Sequence, residues 1–220
     1  MIAVPNHLIT FYNKRGRVRL LSKGEFMMKR VAVFCGSSNG SSPIYVQAAK
    51  ELGMELAKRK IELVYGGSSI GLMGSVADAV LEAGGTVIGV LPEFLENREI
   101  AHKGLTELIT VQSMHERKAK MTELADGFIT LPGGAGTMEE FFEIFTWAQL
   151  GLHQKPCGIL NTNHYYDPLV KLINHMADAE FLQEKYRSIT IVEEDPAVII
   201  DRFLTYNPPS IKTYITEKQT

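Results

Sequence analysis

The sequence predicts one doubly wound, Rossmann-like α/β domain: a mostly parallel sheet of about seven strands with helices on both faces. Three observations carry this. Short β-branched runs alternate with helical patterns from residue 30 onward, and the near-continuous apolarity of those runs suits strands buried on both sides. The 220 residues, 45% of them apolar, fill one core and leave little for a second. No repeat, low-complexity tract or Pro-, Gly- or Ser-rich linker divides the chain.

Taken in order, residues 1–27 differ from the rest. Lys14, Arg15, Arg17, Arg19 and Lys23 precede any acid, and neither a helical nor a strand period is sustained. The stretch reads as a disordered or spurious N-terminal extension, with Met27 or Met28 as an alternative start. The domain is expected over 28–207, followed by a tail over 208–220. Its strands are predicted at 30–35, 61–65, 86–91, 106–111, 127–131, 156–160 and 188–192. The first helix, 43–59, opens with Ser42 as N-cap and Pro43 at the first helical position. Others are expected at 72–83, ending at Gly84-Gly85; at 114–125, after Ser113; and at 138–150, between Thr137 and Gly151. Two more cover 167–179 and 195–206. Phe141, Phe142, Phe145 and Trp147 make the 138–150 helix almost too apolar for one buried face, which predicts a core helix that also enters a subunit interface.

Composition excludes several functions. A formal net charge of -2, spread over mixed acids and bases, supplies no global basic field for nucleic acid or an anionic membrane. Phosphate recognition would have to be local. Cys35 and Cys157 each sit in an apolar run, as packed thiols of a reducing compartment do, so a cytoplasmic protein without disulfides is expected. No apolar run is long enough to span a membrane. His7, His102, His115, His153, His164 and His175 show no metal-ligand spacing, so no metal is expected.

In a parallel sheet every strand-to-helix loop emerges at the carboxyl edge, where open α/β sheets bind ligands. This gathers Gly36-Ser37-Ser38, Gly66-Gly67-Ser68-Ser69, Gln112-Ser113 and Pro132-Gly133-Gly134-Ala135-Gly136-Thr137 on one edge. The last of these follows a strand and opens a helix, where glycines admit a ligand close to the backbone and free N–H groups favour a phosphate. It is neither a Walker A loop nor a GxGxxG fingerprint, which removes the main support for an ATPase or a dehydrogenase. Thr137 with Glu140 reads equally as a capping box that merely starts a helix. Ser113 with Glu116 forms a second such box, leaving Arg117 about one turn in, long enough to reach back over the edge.

The pair Met114-His115-Glu116-Arg117-Lys118 and Pro132 through Glu140 resembles the paired signature of the LONELY GUY phosphoribohydrolases, which activate cytokinins by releasing the free base from its ribotide. The likeness runs from about residue 28 to about residue 205. It includes Gly36-Ser37-Ser38, Gly66-Gly67, Gly71-Leu72-Met73-Gly74 and Pro92 through Ile100. The resemblance implies that Arg117 and Glu140 are the catalytic pair, that Glu99, Lys118 and Thr146 contact the ligand, and that Gly133, Gly134, Gly136 and Thr137 hold the phosphate. Gly36, Ser37, Ser38, Gly66, Gly67 and Met73 are secondary loop candidates. It further implies a homodimer acting on a nucleoside monophosphate without metal or organic cofactor. Cleaving an N-glycosidic bond puts positive charge on the ribose, which a carboxylate such as Glu140 can stabilise while an arginine holds the substrate. Glu139 and Glu143, four apart, read as surface or supporting residues.

Three rivals remain at this level. A general purine-monophosphate nucleosidase differs only at the base, about which the motif says little. A nucleotide sensor would need the glycines but has no use for a carboxylate beside an anion. A pyridoxal-phosphate amino-acid decarboxylase would need a Schiff-base lysine that no stretch argues for.

Overall fold

The computed structural model describes residues 8–12, 18–22, 28–96 and 101–210. Leu8–Tyr12 (β1) and Val18–Ser22 (β2) pair antiparallel, with Leu8 opposite Ser22. The sequence predicts no strand here. Two five-residue apolar-rich runs separated by a short segment containing Gly16 are enough for a ladder.

All seven strands expected from residue 30 onward form. They are Arg30–Phe34 (β3), Glu62–Tyr65 (β4), Val87–Pro92 (β5), Glu107–Val111 (β6), Gly127–Thr130 (β7), Cys157–Leu160 (β8) and Thr190–Glu193 (β9). They make one parallel sheet in the order β6-β5-β4-β3-β7-β8-β9. The helices are Pro43–Lys58 (α1), Gly71–Glu82 (α2), Glu93–Glu96 (α3), Met114–Leu124 (α4), Ala135–Leu150 (α5), Asp167–Asp178 (α6) and Pro196–Phe203 (α7).

The alternation of a strand's side chains explains why both faces are apolar. Val31 and Val33 of β3 enter one core with Leu52 of α1, Val76 of α2 and Phe203 of α7. Ala32 and Phe34 enter the other, with Met121 of α4, Phe141 and Phe145 of α5, and Ile173 of α6. The edge strand β6 is the exception, with Glu107 and Thr110 exposed. Cys35 and Cys157 are free and buried, as expected. Among the described residues, no helix is long and apolar enough to cross a membrane.

Caps follow the sequence at most helix ends. The Ser42 side chain accepts from the Ile44 N–H, and Gly151 closes α5 in the left-handed region with φ 77°. The start of α5 does not follow. It begins at Ala135, three residues before the expected Met138, behind Gly134 as an N-cap that makes no side-chain bond. Thr137 is therefore inside the first turn and 4% exposed, so the Thr137–Glu140 capping box is not formed. The Ser113 box is nearly as read: Ser113 Oγ accepts from the Glu116 N–H, while Glu116 reaches back to the Gln112 N–H rather than to that of Ser113.

β3 and β7 are neighbours in space although β4, β5 and β6 intervene in sequence. The chain winds outward one way from β3 and the other way from β7, so their following loops diverge and leave a crevice at the carboxyl edge. The Gly36 N–H donates to the Pro132 carbonyl at 3.0 Å, which ties the two loops together at this switch point.

Candidate active site at the switch point

The α5 N-terminus forms one wall of the crevice. Gly134, Ala135 and Gly136 are exposed, and side-chain space at Gly134 and Gly136 is empty. The first N–H groups of a helix lack intrahelical partners, so this end offers donors and a positive dipole to an anion. Gly133 cannot be replaced without displacement, because a Cβ there would collide with the Thr137 side chain.

Glu140 lies further along α5, 8% exposed, and faces Arg117 of α4. Arg117 Nη2 stands 3.6 Å from Glu140 Oε1, with both side chains about nine-tenths covered. Burial raises the Glu140 carboxyl to about 7, against the opposing charge of Arg117. Arg117 Nε is buried without a hydrogen-bond partner. Its guanidinium fills the space that a Gly66 side chain would take, beside Met73 Sδ. The buried Cys35 thiol lies close enough to feel both Glu140 and Arg117, although burial is what mainly raises its pKa.

Lys118, next in sequence, takes a different course. It is 5% exposed, and its Nζ donates to Glu139 at 2.6 Å and lies 3.1 Å from Glu143. Burial opposes its charge, but the two carboxylates outweigh that and raise its pKa. Thr146 is exposed on α5, on the stripe that carries Glu139.

The structure thus brings Arg117, Glu140, Gly66, Met73, Gly36, Gly133, Gly134, Gly136 and Thr137 to one crevice. Ser37 and Ser38 are exposed on the adjoining loop, against which Gly71 of α2 packs. Gly67 is buried beneath, its carbonyl accepting from the His102 N–H. Lys118 is turned into its own ion pairs, and Thr146 stands apart. Glu99 lies outside the described residues. Sequence reasoning missed Tyr165, whose hydroxyl donates to the Gly133 carbonyl at 2.8 Å. No local pattern marks that contact, because 32 residues separate the partners.

The family profile described as "Possible lysine decarboxylase" matches residues 73–203. A protein of Rhodococcoides fascians named cytokinin riboside 5′-monophosphate phosphoribohydrolase is 54% identical over 168 residues, 76% of this chain and 85% of its own length. The chain belongs to the LONELY GUY phosphoribohydrolase family. Other LONELY GUY proteins bearing the same enzyme name are LOG7 of Arabidopsis thaliana and LOG of Oryza sativa subsp. japonica. LOG7 is 47% identical over 180 residues, 82% of this chain and 83% of its own. The rice protein is 47% identical over 180 residues, 82% and 74% of the two chains. Among solved structures, the molybdenum cofactor carrier protein of Chlamydomonas reinhardtii aligns with TM-score 0.63 at 21% identity, over 82% of this chain and 100% of that one. The molybdenum cofactor binding protein of Rippkaea orientalis aligns with TM-score 0.61 at 20% identity, over 80% and 94%. These two share the fold of the LONELY GUY chain, and the likeness extends no further.

Proposed function

We propose that the chain hydrolyses the N-glycosidic bond of an N6-modified adenosine 5′-monophosphate, giving free base and ribose 5-phosphate. The observation that carries this reading is the buried Arg117–Glu140 pair, 3.6 Å apart, just behind the exposed N-terminus of α5. In this reading the 5′-phosphate binds at Gly133, Gly134, Gly136 and Thr137, and the ribose lies over Glu140. As the base departs with the electron pair of the C1′–N bond, positive charge grows on the ring; the carboxylate stabilises it and takes a proton from the water that bonds to C1′, and one proton is returned to the departing base. A carboxyl raised to about 7 is ionised in about half the molecules at neutral pH, so it can accept that proton. Arg117 opposes the effect of burial on Glu140 and holds the substrate's anionic or leaving group. The family likeness also implies ligand contact by Glu99 and Lys118, but the bonds of Lys118 to Glu139 and Glu143 favour a bracing role for that lysine.

The family likeness implies a homodimer and a ligand contact by Thr146. Thr146 lies six residues beyond Glu140, about 9 Å along the helix and about a third of a turn around it. The half-buried Phe142 and Trp147 of α5 fit the interface of such a dimer. Two buried free thiols and the balanced charge suit a cytoplasmic setting.

The decarboxylase in the family description draws no support from the site. A Schiff-base lysine needs a readily neutral amine, whereas Lys118 is held charged by Glu139 and Glu143. The test is chromatographic release of free base from AMP and from isopentenyladenosine monophosphate by wild type and Glu140→Gln. Release by wild type alone, faster on the isopentenyl substrate, is the expected result. Faster release from AMP makes the protein a general nucleosidase, and equal rates in the variant would sink the role of Glu140.

A further inference from the structure

The motif loop is held from behind by a corner of the fold that the motif does not include. Three consecutive carbonyls, Leu131, Pro132 and Gly133, each accept a hydrogen bond from another segment. Tyr166 Oη donates to the first at 2.7 Å, the Gly36 N–H to the second at 3.0 Å and Tyr165 Oη to the third at 2.8 Å. The first two donors are enclosed or tied into the sheet. Tyr165 is 42% exposed, at the rim of the crevice.

Its position is nonetheless built. The turn after β8 carries Asn163 at φ 52° and His164 at φ 57°, a left-handed excursion by two successive non-glycine residues. Asn161 braces it, accepting from the Tyr166 N–H at 2.7 Å and donating to Asp167 at 2.8 Å. The Tyr165 ring stands edge-on to Tyr45 and Tyr166, with centroids 5.8 and 4.8 Å away.

The consequence comes from peptide geometry. In a trans peptide the carbonyl of one residue and the N–H of the next point in opposite directions. A hydroxyl held on the Gly133 carbonyl therefore directs the Gly134 N–H away from Tyr165, at the exposed opening of α5. Both residues flanking this peptide are glycines, so little steric cost opposes its rotation. A rotated peptide would present a carbonyl where the anion binds.

We propose that Tyr165 is a positioning residue that locks the Gly133–Gly134 peptide with its N–H toward the substrate's 5′-phosphate. The proposal rests on the phosphate reading of this loop. Removing the hydroxyl leaves the ring and its packing in place, so the loss should fall on phosphate affinity and not on the chemical step.

The experiment compares wild type with Tyr165→Phe in two assays. In AMP hydrolysis, KM should rise roughly fivefold, the size of one neutral hydrogen bond, with kcat within twofold. In calorimetric titration with ribose 5-phosphate, which needs no turnover, the dissociation constant should rise by the same factor while the melting temperature stays within a few degrees. Unchanged affinity for ribose 5-phosphate, or a loss confined to kcat or to melting temperature, overturns the proposal. If the wild type releases no base yet binds ribose 5-phosphate more tightly than Tyr165→Phe, the hydrolase reading fails and the positioning role stands. If the wild type binds no ribose 5-phosphate, the positioning role fails as well.

Discussion

Helices α4 and α5 are joined by two cation–carboxylate contacts made by consecutive residues, and the two differ in nearly everything else. Arg117 faces Glu140 at 3.6 Å, beyond hydrogen-bond range, with Arg117 Nε unpartnered. One residue on, Lys118 donates to Glu139 at 2.6 Å and has Glu143 at 3.1 Å. In the first pair burial wins and leaves the carboxyl at about 7. In the second, two carboxylates keep the lysine charged despite its burial, and Glu139 is itself 60% exposed at its side chain. A satisfied contact clamps the helices together, while an unsatisfied one leaves binding capacity for something else. The two contacts also interact: Glu139 and Glu143 push the Glu140 pKa up, and Lys118 pulls it down.

The largest expected effect comes from breaking the unsatisfied pair. Glu140→Gln should lower kcat by roughly a thousandfold, in the range for removal of a positioned acid or base, with nucleotide binding retained. Stability should move the other way. A folded-state pKa of about 7 lies above the ordinary carboxylate value, so Glu140 favours folding below about pH 4.5, and that contribution is lost as pH rises through about 7. Glutamine cannot ionise and escapes this loss. Thermal melts of both proteins should diverge from pH 5 to pH 8, with the variant gaining up to roughly 3 kcal/mol. A gap that does not widen with pH means the carboxyl is not raised. Where an ionised carboxylate is required, wild-type kcat should climb through about pH 7, and Arg117→Met, which removes the opposing charge, should move that limb to higher pH.

A smaller effect is expected at Gly66, on a third element. A Cβ there collides with Arg117 Nη2, the tip of a flexible side chain that can swing aside, and Gly66 has no positive φ to make alanine strained. Gly66→Ala should therefore fold with nearly the wild-type melting temperature and lose roughly ten- to a hundredfold in kcat/KM, because a displaced guanidinium no longer faces Glu140. Full activity would mean that the guanidinium's present position is not the working one.

Legibility follows the range of the interactions involved. The seven strands and the six longer helices could be read because their signals are local: β-branched runs, Ser42 before Pro43, Gly84 and Gly151 at helix ends. The start of α5 lies ahead of the one the sequence predicts because a glycine N-cap has no side chain to announce it. The Thr137–Glu140 spacing imitated a cap, while Thr137 is instead packed against Gly133 inside the helix. Motifs single out Arg117 and Glu140, but the reason they differ from Lys118 and Glu139 lies in which side chains cross between helices. Spacing within one helix shows that Glu139 and Glu143 share a face; it does not show that a lysine from α4 lies between them. Tyr165 is the extreme case, since only the folded chain brings it to Gly133.

The smallest effect on activity should come from the satisfied contact, and it is the one that discriminates best. Lys118→Met keeps most of the buried stem but leaves Glu139 and Glu143 facing each other without a cation. Because Glu139 remains largely hydrated, the loss of stability should be on the order of 1–2 kcal/mol, short of the full cost of a broken buried pair. Lys118 no longer lowers the Glu140 pKa, and two uncompensated carboxylates raise it further, so the rising limb of the pH–rate profile should move to higher pH. At a pH above that limb, kcat and KM should stay within a few-fold of wild type. A KM rise of tenfold or more at high pH, with the melting temperature unchanged, would instead mean that Lys118 leaves its carboxylates to meet the ligand, as the family likeness implies. In that case the two contacts would be successive stages of one binding site, and the clamp would exist only while the site is empty.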